Sequence, residues 1–78
     1  MNNETINEII DVMSVVFNIP QNMITEDSST LNIESWDSLK HMSLIVSLEE
    51  KFNCEFSDEQ ISNMTDFKNI TEIIDSVI

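Results

Sequence analysis

Three side chains in this sequence could do chemistry: Ser38, His41 three residues after it, and the lone cysteine Cys54. Ser38 stands in the run Trp36-Asp37-Ser38-Leu39, just where an apolar-periodic segment begins. Asp37 can serve as the N-cap of a helix there, which puts Ser38 in its first turn. A helix start offers unpaired N–H groups and the positive end of the macrodipole, so an anion is stabilised without any basic side chain. A hydroxyl so placed can hold a phosphodiester. Serines at helix starts are common, so position alone also fits an ordinary cap-region serine.

The other two side chains point to less. Ser38 and His41 would share a helix face, but a Ser–His hydrolase needs a nucleophile elbow or a Gly-rich oxyanion loop, and the chain has no glycine. His41 is expected to be a surface residue. Cys54 has no CxxC partner and no adjacent basic residue to lower its pKa, so a packed or half-exposed structural thiol is expected. The acidic stretch from Glu26 to Asp37 lacks the central glycine of a calcium loop, and Leu31 and Ile33 interrupt its oxygen ligands. An EF-hand is excluded; loose binding of divalent cations to the acidic surface is not.

Helices must position Ser38. Ile6, Ile9, Ile10, Met13, Val16 and Phe17 fall on one face of a first helix, with Thr5 and Glu8 as a capping box or Asn3 as the cap. Asn18 and Pro20 end it. Residues from about Gln21 to Asp37 read as a long loop rich in turn-forming side chains, with Ile24, Leu31, Ile33 and Trp36 spaced to tie it to the bundle. A second helix spans Ser38 to Phe52, with Leu39, Met42, Leu44, Ile45, Val46, Leu48 and Phe52 forming a face wider than one packing contact needs. Part of that face should be exposed for partners. Ser57 and Gln60 make a capping box for a short third helix, whose Ile61 and Met64 should face inward. Thr65 or Asp66 caps a last helix carrying Phe67, Ile70, Ile74 and Val77. The expected fold is all-α: a small four-helix bundle, three main helices and a short one, with a long loop between the first two. Met13, Met42 and Met64 should fill helix contacts, and so adaptable a core could part to admit an apolar chain.

Bulk properties narrow the function. At 78 residues, one domain covering 1–78 is expected, too small for a deep catalytic cavity. Fifteen acidic residues against three lysines give a formal net charge of -12. Phosphate backbones and anionic lipid would be repelled, while partners with basic patches would be steered in. A single cysteine fits a reducing compartment. No run approaches the roughly 20 apolar residues of a membrane span, and residues 1–5 lack the features of a signal peptide. A cytoplasmic monomer, with no nucleic-acid binding and no membrane insertion, is expected.

The residues also resemble a known family. Asp37-Ser38-Leu39, the helix ending in Leu48-Glu49-Glu50-Lys51-Phe52, the segment Glu55-Phe56-Ser57-Asp58-Glu59 and the loop Ile24-Thr25-Glu26-Asp27-Ser28-Ser29 are similar to acyl carrier proteins. The resemblance runs over nearly the whole chain, with the first helix matching in pattern only. It implies a carrier and not an enzyme, with 4′-phosphopantetheine from coenzyme A attached covalently at Ser38 by a phosphopantetheinyl transferase. Asp37 would help orient that transferase and its metal. The second helix would be the docking surface for acyl-loading and acyl-using enzymes of fatty acid, polyketide or specialised acyl-transfer biosynthesis. Leu39 and Met42 would be its apolar contacts, and Glu49 and Glu50 its contacts to basic residues; a solvated face is the plain alternative for both glutamates. Lys40 and Ser43 stand where carriers of fatty acid synthesis often have acidic residues, and Ser35-Trp36 stands where many have glycine and a small or aliphatic residue. These departures suggest dedicated partners in a specialised pathway. A competing class is an acidic helical interaction protein that mimics nucleic acid; its charge fits, but it gives no reason for Ser38.

Overall fold

The computed structural model describes residues 3–78. Helix α1 spans Asn3–Phe17, α2 Ser38–Phe52, α3 Asp58–Asn63 and α4 Phe67–Val77. The expected helix count, order and long α1–α2 connection are all present. The core is one cluster built from Ile9, Met13 and Phe17 of α1, Leu44, Ile45 and Leu48 of α2, Met64, and Phe67, Ile70 and Ile74 of α4. These residues recur at three- and four-residue spacing, which puts each set on one helix face.

Local signals set the helix ends. Asp37 and Asp66 cap α2 and α4, each accepting the N–H three residues on, Lys40 and Asn69, at 2.8 and 2.7 Å. Ser57 and Gln60 form the full reciprocal box at α3. With no glycine available, asparagine takes the left-handed position after each long helix, Asn18 (φ 55°) after α1 and Asn53 (φ 51°) after α2. Its short polar side chain tolerates this conformation better than most residues.

At α1 the sequence reading is corrected. Asn3 and Thr5 both lie inside the helix, so neither is its N-cap.

The α1–α2 connection is ordered. It opens with a 3-10 turn at Gln21–Met23, inside what composition reads as plain loop. Ile24, Ile33 and Trp36 are buried as expected, but Leu31 is 96 % exposed. The reason is a side-chain-built turn: Asn32 accepts the N–H of Ser29 and donates to the carbonyl of Asp27, while the Ser29 hydroxyl accepts the N–H of Leu31. This turn sends Leu31 outward and brings Ile33 in. Two backbone bonds stitch the loop to the start of α4, Thr30 N–H to Thr65 C=O at 3.1 Å and Phe67 N–H to Ser28 C=O at 2.9 Å. The middle of the loop is thereby held against α4, while buried Trp36 and the Ser35 hydroxyl, which donates to the Phe17 carbonyl at 3.1 Å, hold its end beside Ser38.

Candidate functional site

Ser38 is the first residue of α2, and its side chain is exposed. Asp37, also exposed, spends one carboxylate oxygen on the N–H of Lys40. That leaves the N–H groups of Ser38 and Leu39, which have no helical partner, at the open end of the helix. An ester phosphate on the Ser38 oxygen would meet these donors and the positive end of a 15-residue helix. Ser38 and Asp37 thus stand together at the start of α2, the serine exposed and the aspartate capping the helix.

Beside the hydroxyl lies an open groove of about 470 Å³, lined by Thr30, Trp36, Asp37, Ser38, His41, Met42 and Thr65. Trp36 and His41 make an aromatic wall and Met42 an apolar one. Thr30 and Thr65 come from the loop and the turn before α4, which the backbone bond between them holds together. An amide-bearing arm with methyl groups matches this mixture of apolar walls and hydroxyls, so the residues present fit a phosphopantetheine group.

His41, expected from the sequence at the surface, does line the groove, but it is also tied into the bundle. It is half-buried, takes the indole N–H of Trp36 on Nδ1 at 3.1 Å, and sits 2.9 Å through Nε2 from the carbonyl oxygen of Ile61 in α3. The indole can only donate, so Nδ1 is the acceptor nitrogen and the ring proton is on Nε2. Trp36 is buried and packs on Phe17 with ring centroids 4.8 Å apart. It is thus both a loop anchor and a wall of the groove.

The candidate docking residues separate. Leu39, Met42 and Val46 follow one another along α2 and are 76, 49 and 49 % exposed, an apolar stripe running away from Ser38. Met42 therefore fills no core contact, unlike Met13 and Met64, which are fully buried. Glu50 is exposed, whereas Glu49 is half-buried and accepts the backbone N–H of Phe56 at 2.9 Å. This bond, which the sequence reading missed, ties the α2–α3 connection to α2. It also bears on Cys54, a half-buried free thiol. Burial first, and the Glu49 carboxylate second, push its pKa above the ordinary thiol value. Both effects favour the protonated thiol and make Cys54 a weaker nucleophile than a free cysteine.

Among the described residues no cluster could hold a metal ion, and no helix is long and apolar enough to cross a membrane. Comparison with known proteins agrees with the geometry. The family described as phosphopantetheine attachment site matches residues 3–77. The chain is 32 % identical over 69 residues to an acyl carrier protein of Coprothermobacter proteolyticus, covering 88 % of this chain and 84 % of the relative. It is 30 % identical over 73 residues to one from Lactobacillus johnsonii, covering 94 % and 91 %. The solution structure of a holo acyl carrier protein from Geobacter metallireducens superposes with a TM-score of 0.81 at 28 % identity, covering 92 % of this chain and 83 % of that one. A four-helix bundle with an exposed serine opening its second helix, matched along nearly its full length by these carriers, belongs to the acyl carrier protein family, whose members are not enzymes but bear a phosphopantetheine prosthetic group.

Proposed function

We propose that Ser38 bears the arm and that this protein presents acyl groups, as thioesters, to the enzymes that load and use them. The observation that carries this reading is the exposed Ser38 hydroxyl at the first position of α2, beside its groove. In the loading step a phosphopantetheinyl transferase, with its own Mg²⁺, removes the hydroxyl proton. The Ser38 oxygen attacks the nearer phosphorus of the coenzyme A pyrophosphate; the new Oγ–P bond forms as the bond to the adenosine bisphosphate leaving group breaks. The bound arm supplies a terminal thiol for thioester formation. The chain itself supplies the hydroxyl, the donors at the helix start and a tether that raises the local concentration of cargo at a partner.

The exposed stripe Leu39–Met42–Val46, with Glu50 beyond it, supports α2 as the docking face. Partners with basic patches suit the net charge of -12 and would be steered to it faster at low salt. Glu49 can contribute to this field, although one of its oxygens is occupied by Phe56 N–H. Asp37 would orient the transferase while capping α2. The protein acts as a monomer, and Lys40, His41 and Ser43 at the start of α2 favour dedicated partners in a specialised pathway.

The test is to incubate the purified protein with coenzyme A, Mg²⁺ and a broad-specificity transferase, then map the peptides by tandem mass spectrometry. Phosphopantetheine on the peptide containing Ser38, and slower labelling of Asp37→Ala, are expected. Labelling at another serine would reject the assignment.

A further inference from the structure

Three rings stand in a row at the Ser38 end of the bundle. Phe17 closes α1, Trp36 packs on it, and His41 lies next to Trp36 with centroids 6.2 Å apart and planes 25° from parallel. The row ends on α3, where His41 Nε2–H donates to the carbonyl of Ile61. This is a direct hydrogen bond from α2 to α3 across 20 residues of chain. It falls on the wall that most needs one: α3 has six residues, and none of them is fully buried.

Two of these rings, Trp36 and His41, line the groove at Ser38. Behind them Leu44, Ile45, Met64 and Ile70 are at most 1 % exposed, and none of the four lines the groove. An apolar chain passing from Ser38 into the bundle between α2 and α3 would have to part His41 from Ile61. It would also disturb the histidine that satisfies the buried indole N–H of Trp36.

We propose that His41 is a specificity-determining latch, which keeps the α2–α3 seam shut and leaves the acyl group on the arm outside, along the groove walled by Trp36, His41 and Met42. The groove's volume lies within the roughly 300–1,000 Å³ range of small-molecule sites, but it is open to water. A long alkyl chain lying there exposes apolar surface in proportion to its length. The protein is thereby matched to short or polar acyl groups. The inference rests on attachment at Ser38 and goes beyond it by naming the cargo class and the residue that sets it.

The experiment loads the wild type and His41→Ala with butanoyl and octanoyl pantetheine arms, confirms each load by intact mass, and compares backbone amide shifts. For the wild type, octanoyl should move amides around the groove, such as Thr30, Met42 and Thr65, and leave Ile45 and Ile70 where butanoyl leaves them. Its thioester should hydrolyse as fast as octanoyl-pantetheine free in solution. In His41→Ala the octanoyl chain should shift Ile45 and Ile70 and slow hydrolysis several-fold. Core shifts in octanoyl-loaded wild type overturn the latch, and this arm of the test needs no variant to fold. Failure of octanoyl to enter a folded His41→Ala also overturns it. The masses separate the two failures: a sample that takes no arm at Ser38 rejects the attachment, whereas core shifts with the arm in place reject the latch alone.

Discussion

The indole N–H of Trp36 is hydrogen-bonded to Nδ1 of His41 at 3.1 Å, joining the last turn of the loop to the first turn of α2. The bond fixes which imidazole nitrogen carries the proton and so orients the Nε2–H toward Ile61. Trp36→Phe keeps a ring against Phe17 but removes the donor. It is expected to cost about 1 kcal/mol in denaturant unfolding, the worth of one neutral hydrogen bond. In the variant the imidazole should lose its single tautomer, which ¹⁵N chemical shifts of the ring will show.

Glu49 makes a second such link, from α2 to the backbone of Phe56. Glu49→Ala leaves that N–H without its partner and should destabilise the protein by about 1–3 kcal/mol. Glu50→Ala, one residue on and exposed, should stay within about 0.5 kcal/mol. Equal effects in thermal melts would remove the structural role assigned to Glu49.

Cys54 carries a pH dependence. Its folded pKa lies above the unfolded one, because of burial and then the Glu49 charge. The folded state therefore holds the thiol proton more tightly. Its contribution to stability is complete below the unfolded thiol pKa and is lost as pH rises from there through the folded pKa. Melting temperature should fall over that alkaline window in the wild type and fall less in Cys54→Ala. At neutral pH, iodoacetamide should label Cys54 more slowly than a free thiol, and faster in Glu49→Gln.

Core and site should respond independently. Ile70→Ala removes a fully buried side chain and should cost about 2–5 kcal/mol. Ser38→Ala, at an exposed position whose helix is capped by Asp37, should stay within about 0.5 kcal/mol. A net charge of -12 opposes the compact state, so added salt should raise the melting temperature of both variants.

What the sequence made legible was local. Helix period marks Ile9, Met13, Leu44, Ile45, Ile70 and Ile74, and the caps Asp37, Ser57 and Asp66 are read from residue type and spacing alone. The same signals put Ser38 in the first turn of α2, but its proposed role comes from the resemblance to acyl carrier proteins and not from position. What stayed hidden depends on parts of the chain far apart. The His41–Ile61 bond joins residues 20 apart, and the Glu49–Phe56 bond crosses a turn that composition does not describe. Leu31 looked like an anchor by hydrophobicity, yet the turn built by Asn32 and Ser29 points it to solvent. Asn53 carried a readable signal: in a chain without glycine, an asparagine after the last apolar residue of a helix is the natural left-handed stop.

The most direct measurement is the intact mass of wild type and Ser38→Ala, each produced together with a phosphopantetheinyl transferase. The wild type should gain one phosphopantetheine and the variant, equally folded by circular dichroism, none. A wild type that stays at its bare mass with several transferases, or a Ser38→Ala protein that still gains the group, would contradict the assignment.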